Sequence, residues 1–272
     1  MSAAELENII LSFTDIYPAE MGEKICAETG IPKERLVAID MTDISGTDMY
    51  CDDAAEEKIR ERLAHYGHRG IHFIDSGNYH YMSRIFTSMI DEPYELVFFD
   101  HHTDMKPPMF EGLLSCGDWA EEVLQKDQNL KRLIMIGPPE SAISELSEDL
   151  KRDERLVCIS EEMISKDPIE EIYSKINGRQ TSSGGNPLLR YISVDKDILS
   201  EKYVLTNWDQ GSVSMDRLLS IIDAVCKDYR IIGADICGGL PNPSPEKYHI
   251  AEMLGISSDL DVMKCILKYM KN

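Results

Sequence analysis

A chain of 272 residues, 43% hydrophobic and 28% charged, is long enough to bury a substantial core and has the composition of an ordinary soluble globular protein. Its formal net charge of −21 excludes nucleic acid or an anionic membrane as a partner held by bulk electrostatics. Seven scattered cysteines without a CxxC pair, no signal-peptide pattern and no apolar run of spanning length lead to an expectation of reduced thiols and a cytoplasmic location.

In chain order, strands are predicted over residues 9–13 and 36–39, a helix over 53–66, a strand over 71–74, and a helix over 80–90. A strand over 95–99, a helix over 118–124, and strands over 132–136 and 156–159 follow. The remainder reads as a helix over 168–176, a strand over 191–194, a helix over 214–226, a strand over 230–233 and a helix over 260–270. Several strands are apolar on both parities, as strands covered on both faces of a parallel sheet must be. The alternation predicts a three-layer α/β/α sandwich with a mostly parallel sheet of about eight strands, organised as one domain over residues 1–272. The Gly-, Ser- and Asn-rich stretch 177–187 is read as a surface loop within that domain.

Three clusters carry chemistry. In Glu95-Leu-Val-Phe-Phe-Asp100-His101-His102-Thr103-Asp104 an apolar strand runs into acids and imidazoles. Sites in open α/β sheets form just beyond the carboxyl ends of strands. If the strand persists, Asp100, His102 and Asp104 share one side and His101 takes the other. In Tyr191-Ile-Ser193-Val194-Asp195-Lys196-Asp197, two carboxylates two residues apart are costly neighbours unless a hard cation relieves them. In Asp75-Ser76-Gly77-Asn78-Tyr79-His80, a strand turns into the helix that begins at His80. Together the clusters offer four carboxylates and two imidazoles. That is too many ligands for one four-coordinate zinc and suits two oxygen-loving ions sharing carboxylates and water.

The run G-x-x-H (77–80), D-x-H-x-D (100–104) and S-x-D-x-D (193–197) resembles the ureohydrolases: arginase, agmatinase, formiminoglutamase and their relatives. The resemblance implies the arginase–deacetylase fold and a centre of two divalent ions, manganese first, whose bridging hydroxide attacks a planar C–N carbon. It implies one ion on His80, Asp100, Asp104 and Asp195 and the other on Asp100, His102, Asp195 and Asp197, with Asp100 and Asp195 as bridges. Asp104 or Asp197 would accept a hydrogen bond from the nucleophile and aim it.

The departures concern the substrate. The ureohydrolase segment D-x-x-E-x-N-P supplies a glutamate that grips the guanidinium, and the matching stretch Asp235-Ile-Cys237-Gly238-Gly239-Leu-Pro241 places Gly238 there. Where arginases carry S-G-N-x-H, Ser115-Cys116-Gly117-Asp118-Trp119 places Trp119 at the histidine. A buried guanidinium without its anion would cost several kcal/mol. The expected activity is therefore hydrolysis of a linear C–N bond in an amidine- or amide-type small molecule rather than a guanidine. Trp119, Glu201, Asp209 and the Gly238 position are candidate substrate contacts. A deacylase on the same fold and a metal-binding protein without turnover are the alternatives, and a homo-oligomer is compatible with the sequence.

Overall fold

The computed structural model describes residues 7–107, 110, 112–178 and 189–270; most of the predicted surface loop 177–187 lies outside them. Ten strands are present: β1 (Asn8–Ser12), β2 (Leu36–Asp40), β3 (Tyr50–Cys51), β4 (Ile71–Ile74), β5 (Tyr94–Phe99), β6 (Leu114–Ser115), β7 (Leu130–Ile136), β8 (Leu156–Ile159), β9 (Leu189–Asp195) and β10 (Arg230–Cys237). Eight form one sheet in the order β2-β1-β4-β10-β9-β5-β7-β8, with every pairing parallel. The short β3 and β6 pair antiparallel outside it. All eight predicted strands are members of the large sheet. β10 runs four residues past its predicted end because Ala234–Cys237 is still apolar enough to lie between β4 and β9.

The helices are α1 (Met21–Thr29), α2 (Asp53–Arg62), α3 (Met82–Thr87), α4 (Trp119–Lys126), α5 (Glu140–Ser144), α6 (Glu148–Arg152), α7 (Glu161–Lys166), α8 (Ile169–Asn177), α9 (Met215–Cys226) and α10 (Tyr248–Met270). Two apolar clusters lie on the two faces of the sheet. Ile9, Leu11, Leu96 and Phe98 pack with α2, α3, α4 and α6, whereas Ile10, Val97, Phe99 and Ile192 pack with α1, α7, α8, α9 and α10. Successive residues of β1 and β5 thus enter opposite cores, the period-two rule of a strand covered on both sides. Serine side chains cap α7 and α9, Ser160 accepting from Met163 N–H and Ser214 from Arg217 N–H. Among the described residues no helix is long and apolar enough to cross a membrane, and the seven cysteines are free thiols.

The amino ends of the central strands are tied by charge. Glu95 accepts from Arg190 Nε at 2.9 Å and from Arg132 Nη1 at 3.2 Å, and all three side chains are buried. The carboxyl ends of the four central strands, β4, β10, β9 and β5, are left for the site.

Candidate metal centre

Each central strand ends in a residue that reaches the same point. After β4, a 3-10 turn (Gly77–Tyr79) delivers His80 just before α3. Gly77 is required there, since a Cβ would stand 2.8 Å from Asp195 Oδ2 and 3.0 Å from Trp208 Cδ1. β5 stops at Phe99, so Asp100–Asp104 is loop and not continuing strand. Convergence of its three ligands comes from the loop curling back, with Asp104 at φ +48°, rather than from the pleat. β9 delivers Asp195 and the following 3-10 turn delivers Asp197. β10 ends at Cys237, next to Gly238.

His80, Asp100, His102, Asp104, Asp195 and Asp197 lie together at this end of the sheet. His80 Nδ1 lies 3.0 Å from Asp100 Oδ2, 2.9 Å from Asp104 Oδ2 and 3.8 Å from Asp195 Oδ2. His102 Nδ1 lies 2.8 Å from Asp197 Oδ2 and 3.3 Å from Asp100 Oδ1. Asp100 therefore turns one oxygen toward each imidazole. Two donor groups able to surround a cation follow: His80, Asp100 and Asp104, and Asp100, His102 and Asp197. A third combines His80, Asp195 and Cys237, whose thiol donates to Asp195 Oδ2 at 3.2 Å. Asp195 thus stands on the His80 side.

The supports are specific. Asp197 Oδ1 accepts from His101 N–H at 2.9 Å, and Asp195 Oδ1 accepts from Asp197 N–H at 3.0 Å. His101 thus contributes to the site through its backbone. Behind His80 a chain of polar contacts leaves the centre: Nε2 is 2.9 Å from Ser193 Oγ, which is 3.1 Å from Ser83 Oγ, which donates to Asp235 Oδ1 at 3.0 Å. Asp235 accepts at the far end, so donation running outward from Nε2–H leaves Nδ1 unprotonated and facing the carboxylates. Nδ1 is buried and has no aligned hydrogen-bond partner, which suits a ligand to a cation better than a donor.

The unprotonated Nδ1 is the form that would ligate a cation; without a cation the cluster, His80 included, must hold protons. Burial, then the charges of Asp197 and Asp100, pushes the Asp195 carboxyl up to about 7. Burial and the Asp100 charge push Asp197 up to about 6. Burial opposes charge on His102, but hydrogen bonding to Asp100 and Asp197 overcomes it and carries the imidazolium up to about 12. His80 is likewise held well above its ordinary range, against burial, by Asp100 and Asp104. An oxygen-rich, buried donor set that gathers protons in this way fits hard divalent ions, which would replace them.

A cavity of ≈ 40 Å³ opens onto the ligands, lined also by Gly77, Lys106, Cys116, Gly117 and Trp208. Trp119, expected at the substrate, is buried beneath the site, and its Nε1–H donates to Asp104 Oδ2 at 2.6 Å, orienting that carboxylate. Glu201 and Asp209 are exposed and stand outside the cavity wall, on the loop whose two ends are joined by the Leu199–Val213 bridge. Gly238 lies at the centre with φ +90°, and a Cβ there would stand 2.3 Å from Asp195 Oδ1. Lys106 and Ser83 escaped the sequence reading. Lys106 is two residues beyond Asp104 and Ser83 is one helical turn after His80, so each carried a proximity signal.

The Arginase family profile matches residues 17–257. The chain belongs to the arginase family. A Thermotoga maritima protein described as uncharacterized is 31% identical over 176 residues, 65% of this chain and 60% of that protein's length. Proclavaminate amidino hydrolase from Streptomyces clavuligerus superposes with a TM-score of 0.69 at 12% identity, covering 97% of this chain and 93% of its own. Trypanosoma cruzi formiminoglutamase, solved with Mn²⁺, superposes with a TM-score of 0.62 at 14% identity, covering 97% and 95%. The family fold, an eight-stranded parallel sheet between helices, is the one described above.

Proposed function

We propose that this arginase-family protein is a metal-dependent hydrolase of a linear C–N bond in a small amidine- or amide-type molecule, and that it does not act on guanidines. The observation that carries the reading is the buried meeting of four carboxylates and two imidazoles, with Asp100 divided between the imidazoles. His80, Asp100, Asp104 and Asp195 would hold one divalent ion, and Asp100, His102 and Asp197 the other, manganese being the first choice for so oxygen-rich a set. Such ions, when bound, polarise the scissile group and make water acidic enough to attack at neutral pH.

The chain's own residues do the rest. Asp104, anchored by Trp119, and Asp197, anchored by the His101 amide, are the proton acceptors that aim the attacking water. The ≈ 40 Å³ cavity is small and admits only a compact head group. Gly238 offers no carboxylate to a guanidinium, and its surroundings leave no room for one. Lys106 at the cavity mouth instead favours a substrate with a neutral or acidic tail.

The test is a parallel assay of manganese-loaded protein. Release of ammonia, formamide or free amine is followed on formimidoyl and acylated amines, and urea release on arginine, agmatine and other guanidines. Turnover confined to the first panel is expected. Robust urea release would refute the guanidine exclusion, and silence on both panels with metal shown to be present would refute catalysis.

A further inference from the structure

Away from the metal cavity, a second cavity of ≈ 370 Å³ lies between the carboxyl ends of β1 and β10 and the first turns of α10. Its volume is in the range of small-molecule sites. In its wall lies a buried ion pair, Lys196 Nζ to Asp259 Oδ1 at 2.5 Å, both side chains almost wholly covered. Removing two charges from water is costly, and a pair kept for packing alone belongs in a close-packed core rather than beside open space. Lys196 has three N–H donors. One meets Asp259, and another makes only a long contact of 3.4 Å to the Gly255 carbonyl, in the middle of α10. The hydroxyl of Tyr17, lining the same cavity, is fully covered and has no aligned hydrogen-bond partner. The wall therefore offers unused donors beside a cation whose own counter-charge is already supplied. Two further carboxylates, Asp15 and Glu252, also line the cavity; Asp15 is exposed and Glu252 half-buried.

We propose that this cavity binds a free amino acid as its zwitterion, with the carboxylate on Lys196 and Tyr17 and the ammonium between Asp15 and Glu252. A lone carboxylate would meet the acids at the opening without compensation. A lone ammonium would leave the Lys196 and Tyr17 donors unused and face the buried lysine. The zwitterion satisfies both ends. Because Lys196 stands between Asp195 and Asp197 in the chain, occupancy fixes the backbone that presents those two residues to the metal cavity.

The experiment is isothermal titration calorimetry of the full-length protein with L-glutamine and L-serine, beside acetate and ethylamine as the separated halves. Amino-acid binding with neither half binding comparably is expected. Tyr17→Phe and Glu252→Gln should each weaken it about tenfold, the effect of losing one hydrogen bond to a charged group. The double variant Lys196→Met with Asp259→Leu, which replaces the pair by apolar groups and leaves no buried charge alone, should abolish it while keeping a cooperative melting transition. If the double variant fails to fold, the two single variants decide. Binding of ethylamine or acetate as tight as that of the amino acids, binding unchanged in Tyr17→Phe and Glu252→Gln, or no heat with any probe would each overturn the proposal.

Discussion

Replacing Asp100 by asparagine should remove both ions, whereas replacing His102 by alanine should remove one. Asp100 Oδ2 faces His80 and Oδ1 faces His102, so its charge serves both donor groups, while His102 serves only the group it shares with Asp197. An ion that binds only the folded state, present at about a hundred times its dissociation constant, stabilises by roughly 2.7 kcal/mol, so two contribute about 5. For a chain of this size 1 kcal/mol moves the melting temperature by about 2–4 °C. Manganese should therefore raise the wild-type melting temperature by about 10–20 °C, His102→Ala by about half that, and Asp100→Asn by almost nothing. Elemental analysis of the three reconstituted proteins should give about two, one and no ions. Equal metal content in the two variants, or two ions retained by Asp100→Asn, would show that Asp100 is not the shared ligand.

The pH dependence of the metal-free protein has a definite sign. The Asp195 carboxyl is raised from 3.8 to about 7 and His102 from 6.5 to about 12, so the folded state holds more protons than the unfolded one. Stability present below the unfolded pKa is then lost as pH rises through the folded one. Chelator-treated protein should melt lower at pH 8 than at pH 5, and manganese should reverse the order; a metal-free melting temperature that climbs over that interval contradicts the scheme. Trp119→Phe, which removes the donor to Asp104, should weaken manganese binding about 10–100-fold in a competition titration while leaving the ion count at saturation unchanged. Gly238→Glu should lose metal rather than gain guanidine hydrolysis, because its Cβ would stand 2.3 Å from Asp195 Oδ1; urea release by that variant would contradict the packing.

What sequence could and could not disclose follows from how each feature is encoded. β5 and β9 were legible because residues such as Val97, Phe98 and Ile192 are apolar on both parities, a pattern only a doubly covered strand needs. The ligands were legible because they stand at the ends of those runs. The first half of α10 was not, since Gly255 and the exposed Met253 interrupt any apolar stripe before Leu260. α5 and α6, five residues each, are too short to show a period. The role of Trp119 was misjudged because alignment placed it opposite a substrate-side histidine, while the indole is drawn inward by Phe98 and His80, with ring centroids at 5.4 and 4.8 Å. Lys106 faces the cavity through loop curvature, which residue spacing does not encode.

The position of β10 in the sheet bears on how this protein comes off the ribosome. Arg230–Cys237 is the last in sequence of the described strands, yet it pairs with β4 on one side and β9 on the other. Until it emerges, β2-β1-β4 and β9-β5-β7-β8 are separate fragments, each presenting a bare inner edge made of buried-type residues. Such edges are templates for mispairing, and long-range parallel pairing is slow to form. β10 is the strand that joins the side of the sheet bearing His80 to the side bearing Asp100 and Asp195. A nascent chain released before residue 230 would carry all six donor residues, with the edges of β4 and β9 unpaired and exposed to its neighbours.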